Sequence, residues 1–97
     1  MRLRYTPAAA SELEQVLADI AEQSPQGASR VRSRIQKTID LLIEHPLSGQ
    51  MTSRHRLRRI VTTPYPYLIF YEARESEVVI IGIRHAARDP STMPGRS

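Results

Sequence analysis

The spacing of apolar residues changes along this chain, and each change predicts an element. Arg2-Leu3-Arg4-Tyr5 alternates polar and apolar positions, the period of a strand with Leu3 and Tyr5 on its inner face. At Thr6-Pro7 the period changes. Threonine can accept a hydrogen bond from a free amide of the first helical turn, and proline's missing N–H is one that this turn could not have bonded. Leu13, Val16, Leu17 and Ile20 follow at helical spacing and predict one inward stripe, with Glu12, Glu14, Gln15 and Asp19 left to solvent. Ser24-Pro25 repeats the start signal after a turn so short that the two helices must run antiparallel. Ala28, Val31, Ile35, Ile39 and Leu42 form the second inward stripe. Arg30, Arg34 and Lys37 share another side of that helix, and Pro46 ends it after Glu44-His45.

From Leu47 to Arg56 the chain is polar and turn-like, without a hydrophobic period, and reads as a loop. Leu57–Thr62, Tyr67–Glu72 and Val78–Ile83 then read as strands rich in β-branched and aromatic residues, the last two joined as a hairpin through Ala73–Glu77. The expected fold is α+β, in the order β-α-α-β-β-β, with the N-terminal strand and the helical hairpin packed on a mainly antiparallel sheet. Tyr67-Leu68-Ile69-Phe70-Tyr71 is apolar on both faces, which predicts a central strand covered by helices on one side, its other side an open docking face. After His85 the apolar period stops and prolines and a glycine fill the chain towards Ser97. Residues 1–90 are expected to form a single domain and 91–97 a flexible tail.

Charge narrows the partners. Fourteen basic residues, all arginine except Lys37, oppose ten acids for a formal net charge of +4, which favours nucleic acid or an acidic protein segment. There is no cysteine, so neither a disulfide framework nor a thiolate nucleophile is available. No apolar run approaches the roughly 18 residues of a membrane span, and Met1–Pro7 lacks the apolar core of a signal peptide. A cytoplasmic protein with no membrane partner is the expectation.

The densest charge feature is Arg54, His55, Arg56, Arg58 and Arg59, in a stretch with no acid between Glu44 and Glu72. In a strand beginning at Leu57, Arg56 and Arg58 share one face while Arg59 joins Leu57 and Val61 on the other. The planar guanidinium fork suits phosphate or carboxylate, so Arg56 and Arg58 form a candidate anion site; the alternative is an edge strand whose charges prevent edge-to-edge pairing. His45, His55 and His85 lack the spacing of a metal site, and the glycines stand singly, without a phosphate-loop pattern. Neither metal nor cofactor is expected. What remains is metal-free RNA cleavage, which needs a base, an acid and cations at the phosphate. His85 with Arg56, Arg58, Arg84 and Arg88 could supply parts of it, or His85 could simply close the sheet. Tyr65, Tyr67 and Tyr71 could stack bases or belong to the core.

The β-α-α-β-β-β order, "HPLSGQ" after the second helix, "LRRIVTTPYPYLIFYEA" and the ending "VVIIGIRHAARDP" together resemble the RelE/ParE superfamily of bacterial type II toxins, over roughly residues 2–90. The resemblance implies a cognate antitoxin, usually a small dimeric DNA-binding protein whose C-terminal segment wraps and neutralises the toxin. RelE-like members cut mRNA in the ribosomal A site; ParE-like members poison DNA gyrase and serve in plasmid stabilisation. RelE-like endings often carry arginine after the histidine and a tyrosine a few residues later. Here Ala86 and Ala87 follow His85, and no tyrosine follows Tyr71. His85-Ala86-Ala87-Arg88 is more similar to the ParE-like ending. The expected function is therefore a gyrase inhibitor without catalysis of its own, with Arg30, Arg34, Lys37, Arg56, Arg58, Arg84 and Arg88 binding target or antitoxin. The alternative is a ribosome-dependent endoribonuclease using His85, Arg88, Arg56 and Arg58.

Overall fold

The computed structural model describes residues 1–86; Ala87, Arg88 and the predicted tail lie outside the described residues. The elements are β1 (Arg2–Tyr5), α1 (Pro7–Gln23), α2 (Pro25–Glu44), β2 (Gln50–Met51), β3 (Leu57–Val61), β4 (Tyr67–Ala73) and β5 (Glu77–His85). Both helix starts form as their sequences predict. Thr6 accepts from the Ala9 amide at 3.1 Å and Ser24 from the Gly27 amide at 2.9 Å, each one residue before a proline.

The sheet has the order β1-β5-β4-β3-β2, so the doubly apolar β4 is its central strand. β1 runs parallel to β5 and the remaining pairs are antiparallel. The helical hairpin covers one face. Leu17, Val31, Ile35, Ile39 and Leu42 pack there on Ile69, Tyr71, Val78, Ile80 and Ile83. Burying aliphatic side chains of this size stabilises by about 1.5–3 kcal/mol each, which is why the two stripes fix the hairpin on the sheet.

Three expectations need correction. The loop after α2 contains the two-residue strand β2, which pairs Gln50 with Arg59 and Met51 with Arg58; a piece this short has no period to read. Glu12, expected in solvent, accepts from the Ile83 amide at 2.9 Å and pairs with Arg84. β1 ends at Tyr5, opposite Ile80, so the next stretch of β5 has no strand beside it, and a carboxylate of α1 takes over a backbone partner. The face opposite the helices is less open than its composition suggests, because Leu57, Phe70 and Val79 are buried there at 1%, 2% and 1% exposure. The register places Arg59 beside Phe70, and Arg4 and Glu72 beside Val79.

A β-bulge decides which way the end of β5 faces. Phe70 pairs with Gly82 but Tyr71 pairs with Ile80, leaving Ile81 as an extra residue. Ile80 and Ile83 both reach the helical side in consequence. His85, opposite Tyr67, falls on that side, and Arg84, opposite Leu68, on the other.

Candidate functional site

The basic cluster forms a built groove at one end of the sheet. β2 and β3 are joined by a tight turn in which Thr52 closes on Leu57: its amide donates to the Leu57 carbonyl at 3.1 Å and its hydroxyl at 2.8 Å. The turn holds Arg56 at φ 65°, a left-handed conformation that costs a residue with a Cβ about 1 kcal/mol or more. Arg58 is tied down. Its Nη1 donates to the Gly49 carbonyl at 2.8 Å and the Leu47 carbonyl at 3.3 Å. His55, Arg56, Arg58 and Arg74 line a groove of about 530 Å³ together with Leu47, Met51, Ala73 and Glu75, and Arg74 is paired with Glu72 and Glu77. Leu47 and Met51 are 68% and 53% exposed, so cations and apolar surface stand side by side. Arg56 and Arg58 thus share a side, while Arg59 turns to the opposite face near Gln50.

Tyr71 fixes the floor under this groove. Its hydroxyl donates to the Pro46 carbonyl and accepts from the Gly49 amide, both at 2.8 Å. Burial pushes its phenol above the ordinary tyrosine range, against the opposing effects of the Gly49 amide and the Arg58 charge. Gly49 is required by close approach: a Cβ there would lie 2.6 Å from Tyr71 Cε1 and closer still to the hydroxyl.

His85 lies elsewhere. Its ring meets Tyr67 edge-on, with centroids 5.2 Å apart and planes at 88°. The two line a groove of about 270 Å³ with Val16, Asp19, Ile20 and Gln23 of α1. The register sets His85 against Tyr67 and Arg58 against Tyr71, at opposite ends of β4. Four residues along a strand and two strands across put their Cα atoms roughly 16 Å apart. Arg58 is turned towards the loop carbonyls and His85 towards α1, so the fold does not gather the proposed cleavage residues at one phosphate. Arg88 lies outside the described residues.

The remaining sites separate further. The Arg84 guanidinium is engaged by Glu12 and is only 27% exposed, so it is occupied within the fold. Arg30, Arg34 and Lys37 line a third groove, of about 260 Å³, with Ser33, Pro64 and Tyr65. Sequence reasoning missed Arg74, brought in by the β4–β5 turn, and the Gly49–Tyr71 contact, which joins positions far apart in the chain. The only signal for the latter was the glycine in "HPLSGQ". Among the described residues there is no group of histidine and acidic side chains that could hold a metal, and no helix long and apolar enough to cross a membrane.

Comparison with known proteins matches this architecture to one family. Residues 3–90 match the family model described as the ParE toxin of the type II toxin–antitoxin system, parDE. Among relatives, the chain is 34% identical over 85 residues to the protein Y4kP of Sinorhizobium fredii, covering 88% of each chain. It is 36% identical over 84 residues to toxin RelE2 of Caulobacter vibrioides, covering 87% of this chain and 93% of that one. A solved structure from the chromosomal ParDE toxin–antitoxin system of P. aeruginosa superimposes with a TM-score of 0.76 at 18% identity, covering 88% of this chain and 95% of that chain, a likeness of fold.

Proposed function

Because the chain belongs to the ParE toxin family of type II toxin–antitoxin systems, we propose that it arrests its host by binding and inhibiting DNA gyrase, and that its cognate antitoxin releases that arrest. A toxin paired with an antitoxin is what the family implies; the gyrase target is the further step. The observation that carries it is the dispersal of the cleavage candidates. General acid–base catalysis needs heavy atoms within about 3 Å of the proton moved. His85 and Arg58 sit at opposite ends of the central strand, each already packed or hydrogen-bonded in place. The ending adds support, since no tyrosine follows Tyr71 and Ala86 and Ala87 follow His85.

The groove of Arg56 and Arg58 beside Leu47 and Met51 suits an acidic, amphipathic antitoxin segment. Its carboxylates would meet the guanidinium forks and its apolar side chains the exposed leucine and methionine. Purified toxin is expected to reduce supercoiling by gyrase or to trap cleaved plasmid, and His85→Ala is expected to keep that activity. Unchanged supercoiling and no trapped cleavage at saturating toxin would reject the gyrase reading. The second reading is a ribosome-dependent endoribonuclease. It is favoured by one observation, the pairing of His85 with Tyr67 beside an open groove. Programmed ribosomes losing intact mRNA to wild-type toxin but not to His85→Ala would establish it instead.

A further inference from the structure

The groove on α2 is separate from the one assigned above to the antitoxin, and we infer that it holds the phosphate backbone of DNA. Arg30, Arg34 and Lys37 fall on one side of α2, and the groove they line contains no acid. At 1.5 Å of helical rise per residue they span about 10 Å, close to the length of three nucleotides at about 3.4 Å each along one strand. None of the three forms an ion pair among the described residues. Across the groove stands Tyr65, held by a turn in which its amide donates to the Thr62 carbonyl at 2.9 Å.

The charges on α2 serve the helix poorly. Its acids, Asp40 and Glu44, lie towards the C-terminus and no cation stands in the last turn, whereas the macrodipole favours cations at that end. The macrodipole is felt within the first and last turns, whereas Arg30, Arg34 and Lys37 stand in the middle of α2, so it does not explain the row of cations. An acidic peptide fits less well. This groove offers only Pro64 and Tyr65 as apolar wall, while the exposed leucine and methionine that an amphipathic segment needs lie in the groove at the other site. A chain of phosphates needs cations in a row and little else. The choice of DNA over RNA rests on the gyrase reading; the binding itself does not.

The test uses fluorescence anisotropy of a short labelled DNA duplex titrated with purified full-length toxin over a range of salt, without gyrase. The triple variant Arg30→Gln, Arg34→Gln, Lys37→Gln is compared with a charge-matched control, Arg2→Gln, Arg32→Gln, Arg59→Gln. The triple variant is expected to lower the slope of log affinity against log salt by about 2 to 3, at roughly 0.9 for each phosphate no longer neutralised, with the control close to wild type. Tyr65→Ala is expected to weaken binding several-fold without changing the slope, because it removes no charge. Where the triple variant does not fold, Arg34→Gln and Lys37→Gln singly are expected to lower the slope by about 0.9 each. Absence of binding by the wild type, or an equal fall in slope in variant and control, would overturn the proposal. So would an acidic peptide that displaces DNA and itself depends on the three cations, which would assign the groove to protein. Tighter binding of a matched RNA duplex would overturn the choice of DNA. Failure of the gyrase assay alone leaves the duplex titration unchanged, so the two readings fail separately.

Discussion

At Tyr71 one phenolic oxygen joins three parts of the molecule: the Pro46 carbonyl, the Gly49 amide and the central strand. The residue is fully buried, so Tyr71→Phe leaves a buried amide and a part-buried carbonyl without that partner. The expected loss is about 1–3 kcal/mol of stability, measured by urea unfolding. Gly49→Ala acts on the same contact from the other side. A methyl group 2.6 Å from Cε1 forces a packed ring or its loop to move, at a cost of about 1–3 kcal/mol. Because this loop also supplies the carbonyls that hold Arg58, Gly49→Ala is further expected to weaken antitoxin binding in a calorimetric titration. Neither side chain announces this role in the sequence. Tyr71 reads as one more apolar position of a strand, and only the crossing of the loop over that strand turns it into a hydrogen-bond centre.

Among the elements, the strands and helices were legible where their periods were long. The two helical stripes and the strands β1, β3, β4 and β5 follow from apolar spacing and from the Thr6-Pro7 and Ser24-Pro25 starts. β2 was not, because two residues carry no period. The meeting of Glu12 with β5 was also hidden, since its helical position is polar and only the early end of β1 exposes the Ile83 amide. Glu12→Ala removes the acceptor for that amide and the partner of Arg84. It is expected to cost about 1–3 kcal/mol and to lower the hydrogen-exchange protection of the Ile83 amide. Glu12→Gln keeps an oxygen for the amide and is expected to cost less; equal losses in the two variants would show that the charge pair dominates.

For the whole molecule, pH acts at both ends of the range. Burial raises the phenol pKa values of Tyr5, with a smaller contribution from the Asp40 charge, and of Tyr71. A raised folded value means that the native state holds its proton more tightly than the unfolded chain. That contribution is complete below the ordinary value of 10.0 and is lost as pH climbs through the folded values. Glu77 behaves oppositely. Its hydrogen bond from Arg4 lowers its pKa from 4.5, so its contribution is present above that value and fades as pH falls through the lowered one. Thermal melts across pH are expected to fall off on both sides. Tyr71→Phe should flatten the alkaline limb and Glu77→Gln the acid limb, the latter slightly, because the pair with Arg4 is exposed to solvent screening.

The ending IRHAARDP shows where the two sources of information divide. The sequence by itself determined the α+β class, the helical hairpin, the central strand and the family, because burial periods and helix-start chemistry are local properties of the chain. It also supplied the cations and the absence of a tyrosine after Tyr71. Only the tertiary structure decided what those residues can do together. The extra residue Ile81 reverses the alternation of β5, placing His85 beside Tyr67 and α1 on the face that Arg58 shares through Tyr71, and distance along β4 keeps the two apart. Arg84 is left at the strand edge, where Glu12 engages it. Side-chain direction in a strand depends on register, and register is set by pairing between segments distant in sequence. The same composition that reads as one cluster of arginines around a histidine therefore becomes, in the folded chain, separate surfaces.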